Sequence, residues 1–477
     1  MAPAITIGIA AIGFLFFLQW PVKGLALLFF LLPFSVALNP FPGFDLVLLR
    51  VLVPVFWLAV FLKYPKTFLQ ELKARPALLL GLFLVIATLA TFFAVEVSWA
   101  LRKLLYLWSL SPLLPAICVV IARTPSLPRE TKQSIPYEFK DEIATLPSVV
   151  RNDTWTSALF LGGVVAAFVG IAQFVSQFFF GTEELFRFFS GLAPHLHGKE
   201  FGALITEYPS WFVNIGGADY LRAFAFFPDP HIFAFYLVFI SSLVLPMLLS
   251  ARTRQEFILF AICYLLLVLC LLLTFSRGGY LGFLTSTIVI LALSWKKLKH
   301  GVAPYLVLVA AAFFVLLIAG APVIGRLVSS FDVAEGSNAG RIGIWRDAGE
   351  KTLQHPFGVG LGNYAVSEDG SVGIRNPITA HNLYFDIAVE TGLPGLAVFL
   401  LFLVAIFSGL YQSFKADDSS SGVLAMGFMG ALAGFSVHAF FENPLWSPAI
   451  FTLLVLAAAR SNTNSQTQDT PFSNLLK

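Results

Sequence analysis

Glu256-Phe-Ile-Leu-Phe-Ala-Ile-Cys-Tyr-Leu-Leu-Leu-Val-Leu-Cys-Leu-Leu-Leu-Thr-Phe275 holds one charge, at its first residue. A helix rises about 1.5 Å per residue, so about 20 apolar residues cross the roughly 30 Å of bilayer hydrocarbon. This run meets that length, and the rest of the chain can be measured against it. Comparable runs fall at 4–20, 22–38, 46–64, 77–95, 102–122, 154–180, 224–249, 279–295, 302–320, 392–412, 422–440 and 444–460. The reading is an all-α polytopic membrane protein with about 12–13 transmembrane helices.

Composition agrees with this reading. Of 477 residues, 58% are hydrophobic and 12% charged, where a soluble domain carries about 25% charged. Mean hydropathy is +0.83. A formal net charge of +3 gives no argument for a nucleic-acid partner, so membrane lipid is the expected surround. Cys118, Cys263 and Cys270 all lie inside apolar runs without metal-ligand spacing, as small buried hydrophobes do. The first run lacks a basic leader and a cleavage site, so it reads as a helix rather than a removed signal.

Basic residues in short loops orient such a chain. Lys63, Lys66, Lys73 and Arg75, then Arg252 and Arg254, then Lys296, Lys297 and Lys299, then Lys415, fall on one side if the helices alternate. That side is expected to be cytoplasmic, which points to a multi-pass protein of the cytoplasmic (inner) membrane. The expected organisation is N-terminal helices over 1–122, a Pro-rich cytoplasmic loop over 123–153, and central helices over 154–320. An extracytoplasmic loop follows over 321–391, then C-terminal helices over 392–460 and a disordered tail over 461–477. Segments 181–222 and 321–391 face outward.

Ionisable groups at a bilayer surface are expensive and tend to be functional. Arg277, in Ser276-Arg-Gly-Gly279, ends an apolar run. It offers a guanidinium fork for phosphate oxygens, or else snorkels at the interface. Arg222 precedes Pro228-Asp-Pro-His231, where Asp229 reads as a helix N-cap and Pro230 as a first-turn proline. It favours an anion there, or pairs with Asp219. Arg341, Trp345 and Ala348 share one face of a short helix capped near Ser337. His355-Pro-Phe-Gly-Val-Gly-Leu-Gly-Asn363 fits no nucleotide-binding spacing and reads as a tight turn, with Asn363 a weak polar candidate. Thr379-Ala-His-Asn382 reads as a helix start with Thr379 as cap, and the helix ends at Gly392. His381 would then sit in the first turn, where the dipole lowers its pKa and keeps it neutral. Outer loops hold no Asp-x-Asp, and no His-Glu-x-x-His occurs, so neither a metal nor another cofactor is expected.

The ordered set Ser276-Arg277-Gly278, Gly340-Arg341…Trp345, Pro356…Gly358-Val-Gly360…Asn363 and His381-Asn382…Glu390-Thr-Gly392…Gly395 resembles the O-antigen ligase and O-antigen polymerase superfamily. The resemblance covers roughly 220–400; one departure is Pro228-Asp229-Pro230-His231, where relatives usually carry Pro-Asn. It implies a C-type membrane glycosyltransferase fold. The donor would be an undecaprenyl-diphosphate-linked glycan, moved without metal to a hydroxyl of a glycan or lipid-linked acceptor on the outer face. Carried over, Arg222, Arg277 and Arg341 bind the diphosphate, Asn382 is a further substrate-binding candidate, and His381 is the base. Ligase and polymerase share donor and fold. One dominant outer loop carrying both Arg341 and His381 leans toward the ligase. A transporter would need charges deep within several helices or repeated broken helices, and such charges are nearly absent. A non-catalytic assembly scaffold is the remaining alternative.

Overall fold

The structure is a computed structural model that describes residues 2–39, 45–123, 154–207, 210–295, 336–364, 380–416 and 420–462. The run at 302–320, Thr379, Arg375, the insert after residue 123 and the tail after residue 462 lie outside them.

The helices are α1 (Ala2–Gln19), α2 (Pro21–Leu31), α3 (Leu48–Lys63), α4 (Pro65–Glu71), α5 (Arg75–Ala90), α6 (Val97–Leu110), α7 (Leu113–Ala122), α8 (Thr154–Phe180), α9 (Thr182–His197) and α10 (Lys199–Glu207). A hairpin of β1 (Phe212–Ile215) and β2 (Ala218–Leu221) precedes α11 (Pro230–Leu249), α12 (Arg254–Leu273), α13 (Arg277–Ser294), α14 (Gly336–Gln354), α15 (Leu383–Ala416), α16 (Ser420–His438) and α17 (Pro448–Asn462). Among the described residues, 8 helices are long and apolar enough to cross a membrane, or up to 9 if α3 and α4, bent by 114°, form one span. The chain is an all-α polytopic membrane protein. The runs expected at 4–20, 22–38 and 444–460 form shorter apolar helices. Pro21 starts α2 afresh, because a proline lacks the N–H that a continuing helix needs.

Two sets of contacts mark two faces of the bundle. On one, Asn462 donates to Glu71 at 2.8 Å, Arg460 to Ser421 at 3.1 Å, and Arg123 to Thr67 at 3.3 Å. On the other, Asn363 accepts from the Glu96 amide at 2.7 Å and Ser35 donates to Leu196 O at 2.8 Å. The all-helical expectation misses the hairpin. Gly216 and Gly217 both take positive φ, 62° and 86°, as a two-residue hairpin turn of primed type needs.

α11 lies wholly inside the bundle. Beside it, α13 and α16 cross backbone to backbone. A Cβ added to Gly282 would stand 2.8 Å from Gly434 O, and one added to Gly434 would stand 2.7 Å from Gly282 O. Lipid supplies no hydrophobic drive between helices, so small residues that admit close approach set such crossings. One turn earlier, Gly278 meets the His438 ring in the same way, at 2.6 Å. This crossing therefore places the start of α13 against the end of α16.

The Gly-rich loop docks on a break in α15. Gly392 alone leaves helical geometry there (φ 74°). Val359 N donates to Val389 O at 2.9 Å, Gly360 N to Glu390 O at 3.0 Å, and Leu393 N to Pro356 O at 2.9 Å. The helix that starts at Leu383 breaks at Gly392, as the sequence reading has it, and a second helix follows at once and runs to Ala416; α15 spans both.

Gly282→Ala forces α13 and α16 apart and is expected to lower the thermal unfolding midpoint in detergent by several degrees. Gly81→Ala, with open space around it, is expected to leave the midpoint unchanged. Equal midpoints for the two variants would contradict the close crossing.

Candidate functional site

Asp229 caps α11 as its sequence foretells. Its carboxylate accepts from His231 N at 2.7 Å and Ile232 N at 2.9 Å, with Pro230 in the first turn. His231 then turns inward. Arg222 is buried and does not pair with Asp219, which bonds Asn214 instead. Its Nε donates to Thr274 O at 2.7 Å and a terminal nitrogen donates to Ser210 O at 2.8 Å. The same nitrogen lies 3.4 Å from His231 Nε2. A guanidinium has no acceptor, so Nε2 accepts and Nδ1 carries the hydrogen toward Ser276 Oγ, 3.0 Å away. Ser276 Oγ also accepts from Gly279 N at 3.2 Å and stands 3.5 Å from His438 Nε2. His438 lies flat on Phe235, centroids 3.5 Å apart. This buried chain fixes the start of α13, where Arg277 is half-buried.

A second polar group meets it from α14 and α15. His381 precedes α15 with φ 46°, and its side chain is exposed. Its Nδ1 lies 3.3 Å from both carboxylate oxygens of Glu442. Asp386 holds the two segments together: Oδ1 accepts from Ala380 N at 2.7 Å and Oδ2 from Asn443 Nδ2 at 2.7 Å. Trp345 Nε1 donates to Ala380 O at 2.8 Å, which seats α14 on the same segment. Ala348 is buried there, so the face carrying Arg341, Trp345 and Ala348 turns toward His381. Arg341 is close enough for its charge to act on His381, Glu442, His231 and His438.

Three sequence expectations change here. The cap of α15 is Asn382, not Thr379: its side-chain oxygen accepts from Tyr384 N at 3.0 Å and Phe385 N at 3.2 Å. The oxygen of Asn382 is therefore committed to the helix. His381 consequently lies before the helix rather than in its first turn. Its pKa is raised, not lowered, because the hydrogen bond to Glu442 outweighs burial. Glu442 is itself held below the usual carboxylate range: burial pushes it up, but the bond and charge of His381 pull it further down. Asp229 is pushed up to about 6 by burial, and by the charge of Glu442. Asn363 is buried and bonded to the Glu96 backbone, a tie between loops. Among the described residues, no group of three or more His, Cys, Asp or Glu side chains is placed to hold a metal ion.

Comparison with known proteins bears on this polar face. Residues 261–400 match the O-antigen ligase family. A curated O-antigen polymerase of Salmonella muenchen is 34% identical over 84 residues, 18% of this chain. The match spans 21% of that relative's length. The O-antigen ligase segment holds Ser276, Arg277, Arg341, the Gly-rich loop and His381. Arg222, His231, His438 and Glu442 lie outside it in sequence but meet it in space.

Sequence reasoning missed Glu442, Asp386, Ser276 and His438 as members of this site. Glu442 had a signal: a lone carboxylate in Phe441-Glu-Asn-Pro444, between two apolar runs on the same face as His381. His438 sits within an apolar run and Asp386 within the outer loop, and neither gave a spacing to read.

The His381–Glu442 pair makes stability depend on pH with a definite sign. The raised histidine contributes stability fully below its unfolded pKa, near 6.5, and loses it as pH rises through the folded value. The lowered glutamate contributes above its unfolded value, near 4.3, and loses it as pH falls through the folded value. Wild type should therefore exceed Glu442→Gln in thermal midpoint most between the two unfolded values, about pH 4.5 to 6.5, with the gap narrowing as pH rises through the raised histidine value. A gap that is flat or widens with pH would contradict the pairing.

Proposed function

We propose that this protein is a glycan transferase of the O-antigen ligase type. It takes a glycan from undecaprenyl diphosphate and joins it to an acceptor hydroxyl at the outer face of the cytoplasmic membrane, without a metal. The observation that carries the reading is the His381–Glu442 pair, set within the electrostatic reach of Arg341. In the neutral ring, Nδ1–H donates to Glu442, which leaves Nε2 as the proton acceptor. The acceptor's oxygen attacks the anomeric carbon while its proton passes to Nε2. The bond from that carbon to the phosphate oxygen breaks, and the diphosphate leaves with the electron pair. Arg277 and Arg341 compensate the charge that develops, as preorganised cations do. Arg222, tied to Thr274 and Ser210, acts on the diphosphate through its charge and through His231. Glu442 makes His381 a stronger base than an isolated imidazole, so its raised pKa serves proton uptake.

A second reading, O-antigen polymerase, has one observation in its favour: the similarity to the Salmonella muenchen O-antigen polymerase. It differs only in the acceptor, which would itself be lipid-linked. Purified protein given undecaprenyl-diphosphate glycan with lipid A–core, or with lipid-linked glycan alone, separates the two by product.

In that assay, His381→Ala should lower turnover by about 10²–10⁴-fold, while affinity for undecaprenyl diphosphate stays near wild type. Activity should rise with pH as His381 loses its proton, and Glu442→Gln should move that rise to lower pH. Lost donor affinity with unchanged turnover would make His381 a binding group and overturn its role as base.

A further inference from the structure

One cavity beside this site is lined by no residue that the mechanism uses, apart from Glu442 and its neighbour in charge, Asp229. It measures about 310 Å³ and is walled by residues 32–35 and 45–47, the start of α3, His197, Phe201, the 226–229 turn and the 442–449 segment. That lies at the small end of ligand sites, which run about 300–1,000 Å³. Three carboxyl groups line it: Asp45, Asp229 and Glu442. Arg50 also lines it; among the described residues its guanidinium stands over the Tyr106 ring, 5.1 Å away, with no ion pair to a carboxylate. Phe226 and Trp446 supply flat apolar walls.

The lining selects a ligand class. Three carboxyl groups against one guanidinium repel a diphosphate, and the three candidate diphosphate arginines are absent from the wall. Carboxylates accept hydrogen bonds from hydroxyls at several lone pairs each. One oxygen of Asp45 already accepts from Phe201 N, at 2.6 Å, which leaves the other for a ligand. Aromatic faces cover the apolar C–H side of a sugar ring. Glu442 belongs to both places: it lines the cavity and holds His381 Nδ1.

We propose that this cavity is the acceptor subsite, holding the terminal sugar of the acceptor glycan, with Arg50 and Trp446 as its recognition residues. The inference rests on the transferase reading above and adds where the acceptor binds. A sugar seated against Asp45, Arg50 and Trp446 directs a hydroxyl past Glu442 toward His381. The donor's diphosphate stays on the far side of the Pro228–His231 turn.

Two measurements on the full-length protein in lipid nanodiscs test this. In the transfer assay, Arg50→Lys and Trp446→Leu should each raise the KM for acceptor about tenfold, the effect of one lost contact, with the KM for donor unchanged. A raised donor KM with an unchanged acceptor KM would overturn the proposal. The second needs no turnover. Ser447→Cys, on the cavity wall, is placed in a chain whose three native cysteines are replaced, and its reaction with a soluble maleimide is timed. Core oligosaccharide freed of its lipid should slow the reaction, and sugar-free undecaprenyl diphosphate should not. Protection by undecaprenyl diphosphate, or by neither compound, would overturn the proposal. A wild-type protein that transfers no glycan would defeat the transferase reading, while the labelling result would still decide the cavity.

Discussion

The close crossing of α13 and α16 is the constraint on which the polar face depends. Gly278, Gly282 and Gly434 remove the side chains that would keep these helices apart. Ser276 and His438, far apart in sequence, then meet at 3.5 Å. From Ser276 the hydrogen bonds run to His231 and on to Arg222, so one packing decision positions three segments. Apolar packing alone would not select this arrangement, since lipid tails are as apolar as leucine. Backbone proximity and buried hydrogen bonds do.

Electrostatics divide the face in two. On one side stand Arg222, Arg277 and Arg341, the groups proposed to hold the diphosphate. On the other, Asp45, Asp229 and Glu442 make a wall that favours hydroxyls. Glu442 and His381 stand at the boundary, held in register by Asp386, which bonds the backbone before one and the side chain after the other. In the proposed transfer, His381 acts as the base between the diphosphate and the acceptor hydroxyl.

Much of this was legible from sequence, because hydropathy and helix caps act locally. The run at 256–275 became α12, and Asp229-Pro230 capped α11 as read. The match of 261–400 to the O-antigen ligase family agrees with the ordered arginine, glycine and histidine motifs. What failed was tertiary. The raised pKa of His381 depends on Glu442, 61 residues away, which no local rule supplies. Asn382 caps α15, and Asp386 pins Ala380 ahead of the helix. The Gly216-Gly217 turn carries a hairpin signature, but its strands are too short and too polar to register as apolar runs.

In the proposed mechanism, diphosphate and acceptor occupy opposite sides of the His381–Glu442 pair. An electron cryo-microscopy structure of the protein with undecaprenyl diphosphate bound tests it most directly. The account predicts diphosphate density against Arg277 and Arg341, with the cavity beside Arg50 free of it. Diphosphate density against Arg50 and Trp446, or at the opposite face near Glu71 and Asn462, would contradict it.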